Sequence, residues 1–150
     1  MMYTFFIMKF IQYILFIIMA WQDARTRSIF LSHLILFCLS SICFIKLQNI
    51  MFAFLIFIVL WALAYYKKNI ALADIVLIFI CCLMLEFEDI GRFLILIGAA
   101  GLIMGIYKNF KDFKNISKNK LYKIKNFKLP LVPFIFFAYL TTSILLYIGS

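Results

Sequence analysis

Two of the six acidic residues in the chain stand where ordinary solvation does not account for them. Asp23 follows a long apolar run in "WQDARTRSIF" (Trp21 to Phe30), and Asp74 lies a few residues into another in "NIALADIVL" (Asn69 to Leu77). Two carboxylates brought within about 3 to 6 Å do not both ionise readily, so one keeps a proton near neutral pH while the other is a base. Such a pair can activate water against a peptide carbonyl. The ionised member takes a proton from the water; the protonated member polarises the carbonyl oxygen and then helps the amine leave. Asp74 near a helix N-terminus is favoured as the anion, whereas Asp23 is expected to follow a helix C-terminus, whose partial negative charge disfavours ionisation. Arg25 and Arg27 push Asp23 the other way. Asp74 is the expected base, within a coupled pair that need not allow a unique assignment.

Each acid also has a plainer reading. Asp23 can be an interfacial residue paired with Arg25 or Arg27, and Asp74 a helix N-terminal acid, an effect worth about 0.3–1 kcal/mol. What favours a joint role is the elements that carry them. The chain is 67% hydrophobic and 14% charged, with a mean hydropathy of +1.11. Soluble domains are typically about 45–50% apolar and about 25% charged, so the composition implies an all-α integral membrane protein. In 150 residues there is room for a single membrane domain and no sizeable aqueous one. Crossing about 30 Å of hydrocarbon takes roughly 17 to 25 apolar residues as a helix. Six segments qualify: approximately 3–21, 29–45, 50–66, 70–85, 90–107 and 129–148, with a basic loop at 108–128.

The connections sort the charges. Those after the first, third and fifth spans hold Arg25, Arg27, Lys67, Lys68 and eight further lysines, twelve of the fifteen basic residues. The positive-inside rule places these loops in the cytoplasm and both termini outside. Asp23 and Asp74 then share one depth on the cytoplasmic face. Lys9, inside the first span, can snorkel to the outer surface. The first span has no basic leading region, and its apolar run exceeds the usual 7 to 15 residues of a signal peptide, so it is expected to be retained. The net charge of +9 reports topology here, and nucleic acid drops out as a leading partner.

These residues resemble a known family, the membrane-embedded aspartic prepilin peptidases of type IV pili and type II protein secretion, with the archaeal preflagellin peptidases as relatives. "DARTRSI" (Asp23 to Ile29) resembles the family's first motif, an aspartate after the first core helix followed by basic residues and an isoleucine. "ALAD" (Ala71 to Asp74) is similar to its second, GxGD, and "PLVPF" (Pro130 to Phe134) opens the last span much as the family's proline-containing segment does. The resemblance covers essentially the whole chain. It departs at Ala71 and Ala73, where the family has glycines; at Val76, where a lysine is common; and at Phe30-Leu31, where Pro-Asn is usual. Glycine permits close backbone approach, so the alanines bear on how Asp74 is presented.

The resemblance implies a six-helix GxGD-type fold in the inner membrane with Asp23 and Asp74 as the catalytic pair. It implies cleavage of the short basic leader from prepilin-like or pseudopilin substrates at the cytoplasmic face, with no cofactor and no metal. A substrate anchored by its own apolar helix would bring its scissile bond to that depth, supplying proximity without a deep pocket. Relatives that also N-methylate the new terminus carry a cytoplasmic region with paired CxxC motifs; that pattern is not found here, so peptidase activity without methyl transfer is expected. The alternative is a catalytically silent relative, or a small membrane assembly or transport component whose acids bind protons or pair helices.

The remaining residues of chemical interest have bland expectations. Cys38, Cys43, Cys81 and Cys82 read as small apolar core residues. His33 lies at a depth that can meet the aspartates and reads as hydrogen-bonded packing. Glu86, Glu88 and Asp89 read as a solvated turn. Gly98, Gly101 and Gly105 share a helical face that is expected to pack closely on a neighbour. The loop "KNFKDFKNISKNKLYKIKNFK" is expected to lie as an amphipathic segment on anionic inner-leaflet lipid. Its sharper alternative is attraction of an acidic residue in the substrate.

Overall fold

Apolar runs of this length, broken only by short polar links, leave the backbone little choice but to satisfy its own hydrogen bonds, and the computed structural model is helical accordingly. It describes residues 2–26, 28–67, 71–116 and 130–149, without the side chains of residues 2, 4, 5, 67, 104–116 and 145–149. Among these residues there are six α-helices and no strand: α1 (Met2–Thr26), α2 (Leu31–Ser41), α3 (Ile50–Lys67), α4 (Leu72–Met84), α5 (Phe87–Ile116) and α6 (Val132–Gly149). Arg27, the link at 68–70 and residues 117–129 of the basic loop lie outside the described residues.

The expected segments recur with shifted ends. α1 runs past Trp21 to Thr26, so Asp23 lies inside its last turn and does not follow it. Thr26 ends the helix, its Oγ1 2.9 Å from Gln22 O and 3.1 Å from Ser28 O. The second segment is a helix for only eleven residues. Ser40 and Ser41 both return their hydroxyls to Phe37 O, side-chain bonds of the kind that bend a helix, and two 3-10 turns, Ile42–Phe44 and Leu47–Asn49, complete it. α5 extends well beyond Tyr107; its 30 residues make it about 45 Å long, and the start of the expected loop is therefore helical.

Two stretches, Phe6–Thr26 and Leu47–Tyr66, are long and apolar enough to cross a membrane. Leu31–Phe44, Leu72–Met84 and Val132–Ile144 are apolar but shorter.

α1, α2, α4 and α6 make the centre: α2 and α6 each pack against both α1 and α4. α3 flanks α4, with Phe57 and Phe79 rings 5.5 Å apart, and α5 flanks α6. Phe16 of α1 joins three of the central helices, its ring 5.0 Å from Phe37 of α2 and 5.2 Å from Phe136 of α6. Met19, Leu77, Cys81, Cys82 and Ile135 are buried around it.

At one end the C-terminus of α4 is closed by its neighbours. Lys46 N–H donates to Leu83 O at 2.9 Å, and Asn49 Nδ2 donates to Leu85 O at 2.6 Å and Cys82 O at 3.3 Å, satisfying carbonyls that a helix end leaves without partners. Lys46 pairs with Glu86. Burial, then the nearby charge of Lys9, pulls the Lys46 ammonium below its usual value, with Asp89 opposing. The expected solvated turn is therefore wrong for Asp89, which is only 2% exposed and accepts from Arg92 Nη1 at 3.1 Å.

Two other expectations fail. A Cβ added at Gly98 or Gly101 would meet nothing within 4 Å, so this face packs on no neighbour among the described residues; the side chain position of Gly105 lies outside them. α5 is a flanking helix held through α6, and the small residues are on a side that α6 does not cover. Cys43 is exposed and Cys38 half-buried, while Cys81 and Cys82 are buried as expected, because the 3-10 turn turns residue 43 outward from the α2 stripe.

Candidate functional site

Both aspartates lie at the end of the bundle opposite Lys46 and Asn49, and their common level follows from two registers. α1 and α4 run in opposite directions and touch where Gln12 Nε2 reaches Met84 Sδ at 3.4 Å. Asp23 is eleven residues from Gln12 and Asp74 ten from Met84, so at 1.5 Å per residue they lie about 16 and 15 Å from that contact, on the same side of it. The second register gives the same answer through α6. Tyr139 neighbours Cys81 of α4, and seven residues back along these two parallel helices lie Val132 and Asp74. Val132 N–H in turn donates to Asp23 Oδ2 at 3.0 Å.

Asp23 is 7% exposed and Asp74 6%. Neither is a solvated surface acid. Arg25, one candidate partner of Asp23, places its guanidinium 5.4 Å from the Trp21 ring centroid. Each carboxylate also meets a helix N-terminus. Asp74 Oδ2 accepts Ala71 N–H at 3.3 Å, the reciprocal half of a capping box whose other half Ala71 has no side-chain oxygen to supply. Asp23 takes the first amide of α6, where Pro133 has no N–H to offer. Two consequences follow. The amides help to fix both carboxylates, and a helix N-terminus now faces each acid, which reduces the asymmetry that favoured Asp74 as base.

The departure from GxGD at residue 71 introduces no backbone strain. Ala71 sits at φ −77°, ψ 147°, an extended conformation open to any L-residue. Ala73 is half-buried and packs against the core.

Compared with protein-family models, curated proteins and solved structures, the chain matches none. The geometry of the two acids thus stands on its own.

His33 departs from the expected hydrogen-bonded packing. Its ring lies 5.9 Å from that of Phe30, and Nδ1 is buried with no hydrogen-bond partner. Two participants escape a reading of the sequence. The Val132 amide is a backbone group, signalled only indirectly by the flanking prolines Pro130 and Pro133. Gln22, beside Asp23, buries an unpartnered Oε1, and nothing in its local sequence marks it.

Proposed function

We propose that this chain is a multi-pass membrane aspartic endopeptidase that removes leader peptides from prepilin-like or pseudopilin substrates at the cytoplasmic membrane face. The observation that carries the reading is the placement of Asp23 and Asp74, each more than nine-tenths buried, at one level of the helix bundle from distant parts of the chain. The membrane part is supported by the outer faces. Phe6 is 74% exposed, Met51 84% and Ile95 72%, with Phe10, Ile17, Leu55, Ile58 and Leu102 also uncovered. An apolar surface on α1, α3 and α5 together far exceeds the few hundred Å² usual for soluble monomers. The charge asymmetry of the connections favours the cytoplasm for the end that holds the acids.

The chemistry uses only the pair. One carboxylate takes a proton from water as its oxygen attacks the scissile carbonyl carbon, and the other gives its proton to the carbonyl oxygen. When the tetrahedral species collapses, the carbonyl re-forms, the C–N bond breaks and the amine nitrogen leaves with a proton from the pair. The Val132 and Ala71 amides hold one oxygen of each acid in place.

A second reading draws on the same hydrogen bonds. Both acids cap helices, so a non-enzymatic chain could retain them for stability alone. Co-expression with a prepilin separates the two. The peptidase reading expects leader removal, seen as a mobility shift on a gel, that is lost in Asp23→Asn and in Asp74→Asn with normal membrane insertion. Cleavage that persists in both variants, or none by the parent chain, would reject it.

A further inference from the structure

Among the described residues three buried side-chain atoms have no hydrogen-bond partner: Gln22 Oε1, His33 Nδ1 and Asn49 Oδ1. Asn49 is accounted for, because its amide nitrogen closes the end of α4. The other two belong to the opposite end. Gln22 precedes Asp23 in the chain. His33 is placed by the antiparallel register of α1 and α2, where Gln12 Nε2 donates to Ser41 Oγ at 2.6 Å and the rings of Phe16 and Phe37 lie 5.0 Å apart. One further step of four residues along each helix pairs Ala20 with His33, one turn from Asp23. His33 continues the stripe of α2 that carries Phe37, Ser40 and Ser41 into the core, and Gln22 lies on the side of α1 that continues Leu15 and Met19, both packed in the core cluster.

Buried polar atoms without partners are rare and costly, and a native one calls for a reason. Here the two lie at the level of the acids while the fold itself gains no bond from either. We propose that Gln22 Oε1 and His33 Nδ1 accept main-chain N–H groups of an extended polypeptide beside its scissile bond. The amide oxygen of glutamine is an acceptor, and a neutral imidazole with its proton on Nε2 presents Nδ1 as one. A polypeptide leaving its own apolar helix has N–H groups free of intrahelical partners at that point. Two fixed acceptors would hold it in line with the carboxylates, at the depth where the bond must be cut. This inference rests on the peptidase reading and names how its substrate is held.

The test compares Gln22→Met, His33→Leu and His33→Asn with the parent chain in lipid nanodiscs, using a leader peptide fused to an apolar helix as substrate. The apolar replacements remove atoms that bond to nothing in the free protein, so both variants should unfold at the parent's temperature or above it. Each should nonetheless lose about tenfold in kcat/KM, mostly through KM, the effect of one hydrogen bond. His33→Asn returns a polar atom near the Nδ1 position and should recover part of the loss. Unchanged kcat/KM in both apolar variants, with the parent active, overturns the inference and leaves the peptidase reading standing. A marked fall in unfolding temperature for either also overturns it, by showing a structural bond. No cleavage by the parent overturns both.

Discussion

Asp23, in the last turn of α1, accepts the first backbone amide of α6 from Val132 at 3.0 Å, across 109 positions of chain. One carboxylate thereby ties α1 to α6 and is itself fixed by the helix it caps. If Asp23 also serves the proposed peptidase, the two duties give separable phenotypes. Asp23→Asn keeps an oxygen for the Val132 amide, and its unfolding free energy in lipid should stay within about 1 kcal/mol of the parent. Asp23→Ala leaves the amide buried and unpaired and should cost about 1–3 kcal/mol. Both should lower cleavage by at least about a hundredfold. Denaturant titration beside the cleavage assay checks this, and an alanine variant as stable as the parent would remove the capping role.

At Ala71 the backbone conformation, φ −77° and ψ 147°, needs no glycine. Ala71→Gly, which returns the residue to the GxGD pattern, should lower stability by about 0.4–1 kcal/mol by loosening the unfolded chain. Cleavage should not rise. An increase of tenfold or more in kcat would mean that the alanine hinders substrate after all, through close approach of a peptide main chain and not through strain.

The legibility of the sequence divides along physical lines. Apolar runs of helix length mark every helix, since the backbone must bond to itself in such segments; their ends are not legible where side chains or neighbours decide, as at Ser40 and Ser41, whose hydroxyls bend α2, and at Thr26, which closes α1 beyond Asp23. The two acids stood out because carboxylates are scarce beside apolar runs. Their partners did not, because an amide such as that of Val132 has no letter of its own. Asp89 read as solvated from its acidic neighbours, yet its burial depends on how α5 begins against Lys46 and on the reach of Arg92.

The glycines of α5 show the limit of reading small residues as contacts. Because a Cβ at Gly98 or Gly101 meets open space, Gly98→Ala and Gly101→Ala should each stabilise the chain by about 0.5–1 kcal/mol, the backbone entropy that glycine loses in a helix. Thermal unfolding of the isolated protein in lipid gives the answer. A loss of more than about 1 kcal/mol in either variant would mean that another chain packs on that face.

Asn49 offers the converse of Asp23. It is fully buried, and its amide nitrogen serves two carbonyls, Cys82 O and Leu85 O, at the end of α4 remote from both acids. Asn49→Leu removes two hydrogen bonds and one unpartnered oxygen, so the net cost should be about 1–3 kcal/mol, most of it from carbonyls left buried without a donor. The Lys46 amide still reaches Leu83 O and the Lys46–Glu86 pair still forms, which keeps the α2–α3 connection on α4. The acids lie about 15 Å further along that helix, and the core between them, Phe16, Leu77 and Cys81, is untouched. On the proposed peptidase reading, the variant should therefore cleave substrate at the parent's rate below its unfolding midpoint, with a lower melting temperature. A fall in kcat without a fall in stability would mean that the far end of α4 sets the position of Asp74, and that the two ends of the bundle do not act independently.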